Sequence, residues 1–128
     1  MSSPATGSAR PVVLVVDDEP IALAVLQRTL EERYHVLTAP NGLDALSIMQ
    51  AWGDAVRVVV TDVRMPGLSG PALAAHLARL DRSPAVLFVS AYTDPDVPGE
   101  VLAKPFAPDA LLDAVSRLLA SHGQAEVT

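Results

Sequence analysis

Val56-Arg57-Val58-Val59-Val60-Thr61, closed by Asp62, is the stretch whose reading decides the fold. Its β-branched residues form an almost continuous apolar run, the pattern of a strand buried on both faces of a sheet. Val63-Arg64-Met65-Pro66-Gly67-Leu68-Ser69-Gly70 follows, a segment rich in turn residues. A carboxylate at the C-terminal end of a buried strand stands where open α/β sheets bind and transform ligands. Two further strand-like runs finish in reactive groups. Val12 to Val16 leads into Asp17-Asp18, and Val101-Leu102-Ala103 leads into Lys104-Pro105. Three carboxylates and an ammonium at one end of a sheet would make a small phosphate and metal site.

Outward from this stretch the pattern alternates strand and helix. Val12–Val16 is a second buried strand. Pro20 suits the first turn of the helix after it, where Asp18 and Glu19 lie near the positive end. Leu23, Leu26 and Leu30 keep helical spacing there, flanked by Ile21 and Val25. His35 to Thr38 reads as a strand, and Asn41-Gly42 as a turn or cap into a helix carrying Leu43, Leu46 and Met49. After residue 62, Ser69 can cap a helix with Pro71 in its first turn and Leu73, Leu77 and Leu80 on one face. Ala85–Val89 and Glu100–Ala103 are the fourth and fifth strands. Pro108 opens a last helix with Leu111, Leu112, Val115, Leu118 and Leu119 inward. Apolar strands alternating with helices predict a parallel sheet covered on both faces, with right-handed crossovers.

Composition narrows the function. The 128 residues make one domain, with a short disordered tail expected over 1–10, the folded unit over 11–121 and a loose tail over 122–128. Half the residues are apolar but only 4% aromatic, so Val, Leu, Ile and Ala must build the core. A net charge of −6 with no basic stripe argues against nucleic acid. The lack of cysteine excludes disulfides, a thiolate nucleophile and cysteine-based metal sites. The first ten residues lack the apolar segment of a signal peptide, and no apolar stretch is long enough to span a bilayer. A cytoplasmic domain with no membrane partner is the expectation.

Four pieces of sequence, taken in order, resemble the response-regulator receiver domain of two-component signalling from about Pro11 to Ala120. They are Val-Val-Asp-Asp-Glu-Pro (15–20), Thr-Asp-Val-Arg-Met-Pro-Gly-Leu-Ser-Gly (61–70), Val-Ser-Ala (89–91) and Ala-Lys-Pro-Phe (103–106). The resemblance implies a flavodoxin-like three-layer sandwich with a five-stranded parallel sheet of order 2-1-3-4-5. It puts the phospho-acceptor at Asp62 and the acidic pair that holds Mg²⁺ at Asp17 and Asp18. Ser90 takes the place of the hydroxyl that contacts the phosphoryl group, and Lys104 that of the family's lysine. The backbone carbonyl of Arg64 would be a further metal ligand, and Lys104–Pro105 the family's cis peptide bond. The implied phosphodonor is a histidine kinase or a histidine phosphotransfer protein.

Physical chemistry is compatible with those roles. Crowded carboxylates repel one another unless a cation enters, and Mg²⁺ takes one or two carboxylates with phosphoryl oxygens and water. A carboxylate can attack phosphorus to give an acyl phosphate, and Lys104 would offset charge on the phosphoryl oxygens. Ordinary readings stand beside these. Asp17-Asp18-Glu19 also suits a helix N-terminus, Asp62 a turn, and Lys104 a surface lysine; the four together are what favour a site. His35, His76 and His122 show no metal spacing, and Trp52 and Met49 read as packing at a helix end.

The chain departs from the family in two places. Ala91 to Gly99 gives nine residues, two of them Pro95 and Pro98, where the family inserts a full helix. Nine extended residues reach about 30 Å, more than the roughly 17 Å of a five-residue strand. An extended link therefore fits where a helix does not, and the fourth helix is expected to be absent or reduced to a turn. Val101 stands where the family carries a large ring, which implies phosphorylation without the family's usual dimer. Arg64 and Tyr92 flank the site entrance, which implies slowed hydrolysis of the acyl phosphate.

The expected function is a phosphorylation-dependent switch with no turnover of an external substrate, either a single-domain regulator or a receiver cut from a longer protein. A receiver-like interaction module that is never phosphorylated is the alternative. A magnesium-dependent phosphatase would need an acid two residues after the nucleophile, where Arg64 stands. A dinucleotide-binding domain would need a glycine-rich fingerprint after the first strand, and there is none.

Overall fold

The β-branched runs do form the sheet. β1 (Val12–Val16), β2 (His35–Ala39), β3 (Val56–Asp62), β4 (Ala85–Ser90) and β5 (Glu100–Ala103) lie in the order β2-β1-β3-β4-β5, every neighbouring pair parallel. The computed structural model describes residues 10–91 and 97–127, with residues 123–127 described by backbone alone. Among the described residues there are four α-helices: α1 (Pro20–Leu30), α2 (Gly42–Trp52), α3 (Gly70–Leu77) and α4 (Pro108–Val127). A short 3₁₀ turn at Gly53–Ala55 leads into β3. None of these helices is long and apolar enough to cross a membrane.

Alternation along the strands divides the core into two layers. Val13, Val15, Val58, Val60, Leu87 and Val89 face one side, where they pack with Leu26 and Leu30 of α1 and with Leu111 and Val115 of α4. Leu14, Val16 and Val59 face the other, against Met49 of α2 and Leu73 and Leu77 of α3. The result is the expected three-layer, flavodoxin-like sandwich. β1 and β3 slip by one residue at the far end from the strand tips: Val12 pairs with Val56 but Val13 with Val58, leaving Arg57 as the extra residue of a bulge.

Helix starts follow local chemistry. Pro20 sits in the first turn of α1. The Asn41 side chain accepts from the Asp44 N–H at 2.8 Å to cap α2, and Ser69 Oγ accepts from the Ala72 N–H at 3.2 Å to cap α3. One helix face needs correction, and other apolar helix residues are exposed. α3 ends at Leu77, so Leu80 leaves its face and is 43% exposed. Leu43 is 67% exposed because the buried side of α2 runs through Gly42, Ala45 and Met49. Ile21 and Val25 are exposed, and Leu26 and Leu30 are the buried residues of α1.

The loose tail expected from residue 122 is instead helical backbone as far as Val127. One tether there is visible: His122 Nε2 lies 2.6 Å from the Ser83 carbonyl oxygen in the segment between α3 and β4. Between β4 and β5, residues 91 and 97–99 carry no helix. Residues 92–96, which include Tyr92 and Pro95, lie outside the described residues. Glu100 and Arg117 pair at 2.9 Å and fasten β5 to α4. Lys104–Pro105 is cis, as expected.

The burial pattern separates two apolar positions of α1. Leu26→Ala, at 1% exposure, is expected to cost about 2–5 kcal/mol in urea unfolding. Ile21→Ala, at 80% exposure, should stay within about 0.5 kcal/mol of the parent. Equal losses at the two positions would contradict this layer assignment.

Candidate phosphate and metal site

The strands run one residue further than the apolar runs suggest. Asp62 is the last residue of β3 and Ser90 the last of β4, so both are held by the sheet. Asp62 pairs with Val89 across the β3–β4 ladder, which puts Ser90 one step beyond it on the neighbouring strand. Asp17 follows β1 directly, and Lys104 follows β5. The parallel order thus brings four chain segments, far apart in sequence, to the same sheet edge.

Asp17 is completely buried, Asp18 and Asp62 partly so. One carboxylate oxygen from each of the three lies within 4.8 Å of the others. Lys104 Nζ reaches into this group, 3.2 Å from Asp17 Oδ2 and 3.9 Å from Asp62 Oδ2. The lysine therefore leans on Asp17 more than on Asp62, an arrangement that sequence spacing did not foretell. Backbone donors hold the remaining oxygens. The Glu19 N–H donates to Asp17 Oδ1 at 2.9 Å, and the Val63 N–H to Asp62 Oδ1 at 2.8 Å. The backbone of Asp17 is itself anchored on β2, its N–H donating to the Ala39 carbonyl at 3.2 Å. Ala39 had no signal in the sequence, because a backbone acceptor can be any residue.

Charge and burial act on Asp62 in opposite directions. Removal from water pushes its carboxyl above the usual 3.8, Lys104 pulls it back, and Asp17 pushes it up again. The Val63 hydrogen bond lowers it and Asp18 raises it, and the net direction is upward. Three carboxylates facing one ammonium leave an excess of negative charge in a recess. All the donors are hard carboxylate oxygens, a set that suits a small divalent cation such as Mg²⁺ and no soft metal.

Ser90 is 2% exposed, and its carbonyl accepts the Lys104 N–H at 2.8 Å, tying the ends of β4 and β5 together. Arg64 lies on the surface two residues past Asp62. A cavity of about 510 Å³ opens beside it, lined by Val63, Arg64, Met65, Pro66, Ser69 and Pro71. The three histidines stand apart from this edge: His35 stacks on Trp52 with ring centroids 5.5 Å apart, His76 is exposed, and His122 is engaged with Ser83.

Comparison with known proteins agrees with this fold. Residues 13–116 match the family model described as response regulator receiver domain. The hydrogenase transcriptional regulatory protein HoxA of Cupriavidus necator is 33% identical over 122 residues, which are 87% of this chain and 24% of that protein. The sensor kinase CckA of Brucella abortus is 32% identical over 122 residues, 89% of this chain and 13% of that protein. The chain thus spans a quarter or less of either relative. Among solved structures, a response regulator receiver domain protein from Clostridium thermocellum superposes with a TM-score of 0.82 at 27% identity, covering 89% of this chain and 98% of that one. On the family match and the shared fold, the chain belongs to the response regulator receiver domains, the signalling switches of two-component systems.

Proposed function

We propose that this domain accepts a phosphoryl group on Asp62 from a phosphohistidine of a histidine kinase or histidine phosphotransfer protein, and that the modified form is the signalling state. The observation that carries this reading is the cluster itself: three carboxylates within 4.8 Å, faced by the Lys104 ammonium. An acidic turn or a helix cap does not require that convergence from separate strand ends.

In the proposed reaction an Asp62 carboxylate oxygen bonds to phosphorus while the phosphorus–nitrogen bond of the donor breaks, its electron pair returning to the imidazole. Oδ1 is engaged by the Val63 N–H, which leaves Oδ2, on the Lys104 side, to receive the group. Asp17, Asp18 and Asp62, with the Arg64 backbone carbonyl, are the residues that would hold Mg²⁺. When bound, the ion supplies positive charge to the phosphoryl oxygens. Lys104 turns from Asp17 toward the new oxygens, and the Ser90 hydroxyl donates to one of them. Ala91 is small and leaves the approach open. Placement of charge and donors is the domain's contribution, as in other phosphoryl transfers.

Intact mass after incubation with phosphoramidate and Mg²⁺ tests the acceptor. Wild type is expected to gain one phosphoryl group and Asp62→Asn none. No gain in either favours the alternative, an interaction module that is never phosphorylated.

A second test uses stability in the absence of metal. The folded state holds the Asp62 proton to higher pH than the unfolded chain does, because its carboxyl is raised above 3.8. The associated stability is fully present below 3.8 and is lost as pH rises through the folded value. In EDTA at pH 7 Asp62→Asn should therefore melt above wild type, and the gap should close as the pH falls toward 4. Adding Mg²⁺ at a hundredfold excess over its Kd should return about 2.7 kcal/mol to wild type and much less to the variant. A variant melting below wild type in EDTA would contradict the account of Asp62 as a carboxylate disfavoured by burial and by its acidic neighbours.

A further inference from the structure

The segment from Val63 to Ser69 leaves β3 at Asp62 and comes straight back to it. The Gly70 N–H donates to the Val63 carbonyl at 3.0 Å, and Gly70 is the first residue of α3. At this closure two backbones touch. A Cβ on Gly70 would run into the Asp62 carbonyl oxygen and would lie 3.1 Å from Val63 Cα and 3.2 Å from the Asp62 carbonyl carbon. All three are main-chain atoms at the acceptor residue and its neighbour, so no side chain can swing away to make room.

The same loop meets a second glycine. Gly42, the first residue of α2, leaves a notch in which Leu68 is seated. A Cβ there would lie 2.8 Å from Leu68 Cβ and 3.0 Å from its carbonyl oxygen. Neither glycine needs the left-handed backbone region, which among the described glycines Gly53 and Gly67 occupy. Alanine at the start of a helix would ordinarily favour the helix by restricting the unfolded chain. Glycine at these two positions therefore answers to close approach and not to backbone strain.

The structure assigns Gly70 as a positioning residue for the acceptor, with Gly42 as the second support of the same loop. The missing side chains let the loop close flush on the end of β3. That closure sets the peptide whose N–H, Val63, orients Asp62 Oδ1. Through Gly42 it also rests on the start of α2, which two residues of chain separate from Ala39, the end of β2 that anchors Asp17. The acceptor and the buried acidic residue are thus referred to one rigid frame. A methyl group at residue 70 pushes Asp62 and Val63 outward from that frame, and displacements of this size are costly to reactions that rest on placement.

This assignment depends on Asp62 being the acceptor, and the experiment separates the two. Wild type, Gly70→Ala and Gly42→Ala, each as the full chain, are compared by three measurements. They are the folded fraction from thermal melts, the Val63 amide resonance, and the rate of phosphoryl gain from phosphoramidate at saturating Mg²⁺, expressed per folded molecule. Gly70→Ala is expected to shift the Val63 amide and to react about ten- to hundredfold more slowly per folded molecule, with Gly42→Ala showing a smaller loss of the same kind. A purely structural role would lower the folded fraction and leave the per-molecule rate untouched, and that result overturns the assignment. If Gly70→Ala does not fold, Gly42→Ala alone decides by the same criterion. A wild type that takes up no phosphoryl group overturns the acceptor reading, and the positioning role with it. Brisk phosphorylation of wild type and variants alike overturns only the positioning role.

Discussion

Holding three carboxylates side by side, one of them fully buried and two partly so, is the constraint on which the rest of this structure depends. Charges of one sign within 4.8 Å repel strongly in a recess from which water is partly excluded. The fold offsets this repulsion with groups that it holds rigidly. Lys104 arrives from the end of β5, the Glu19 and Val63 amides from the loops after β1 and β3. Even so, Asp62 is left with a raised proton affinity. A recess in which three carboxylates face one ammonium is suited to a divalent cation and to the transfer of an anionic group. The apolar sheet supplies the rigidity, since strands whose side chains are buried on both faces have little freedom to let their ends drift apart.

That dependence explains which parts of the molecule were legible in the sequence. Strands such as Val12–Val16 and Val56–Asp62 announce themselves because burial on both faces demands unbroken apolar runs. Their polar ends announce the site, because Asp17, Asp62 and Lys104 interrupt the pattern where a parallel sheet collects its strand tips. Helix faces were less legible. Leu43 and Leu80 are apolar by type, but α2 buries its small Gly42 and Ala45 side, and α3 stops a turn early. Where a helix lies close against a sheet, small residues mark the contact, and a rule that counts large apolar residues misses it.

The contacts that hold the site were legible least of all. Nothing in the type of Ala39 says that its carbonyl anchors Asp17. Gly70 reads as one more glycine in a turn-rich stretch until the backbone it touches is known. The preference of Lys104 for Asp17 over Asp62 follows from where the buried carboxylate lies, a property of three dimensions. Side-chain chemistry can thus be read from a sequence by residue type, while backbone support depends on which main-chain atoms come together and has no alphabet of its own.

On the proposed reading, the same charge balance indicates where a phosphoryl group would act first. The acyl phosphate would carry roughly one and a half to two negative charges where the carboxylate carried one, so up to about one further negative charge enters a cluster with one ammonium. Lys104 is the group best able to answer, having a flexible stem and a head shared between two carboxylates. Its strand is also the least anchored of the five. β5 has four residues, pairs on one side with β4, and exposes Val101 and Ala103. Beyond that ladder and the packing of Leu102, among the described residues it is tied by the Lys104 amide on the Ser90 carbonyl and by the Glu100–Arg117 ion pair. The first lies at the site and the second on α4. A pull on Lys104 is therefore delivered to a short edge strand fastened to the last helix. Because β1 and β3 are locked between neighbours in the sheet, the charge added at Asp62 has its mechanically easiest outlet through β5 and α4.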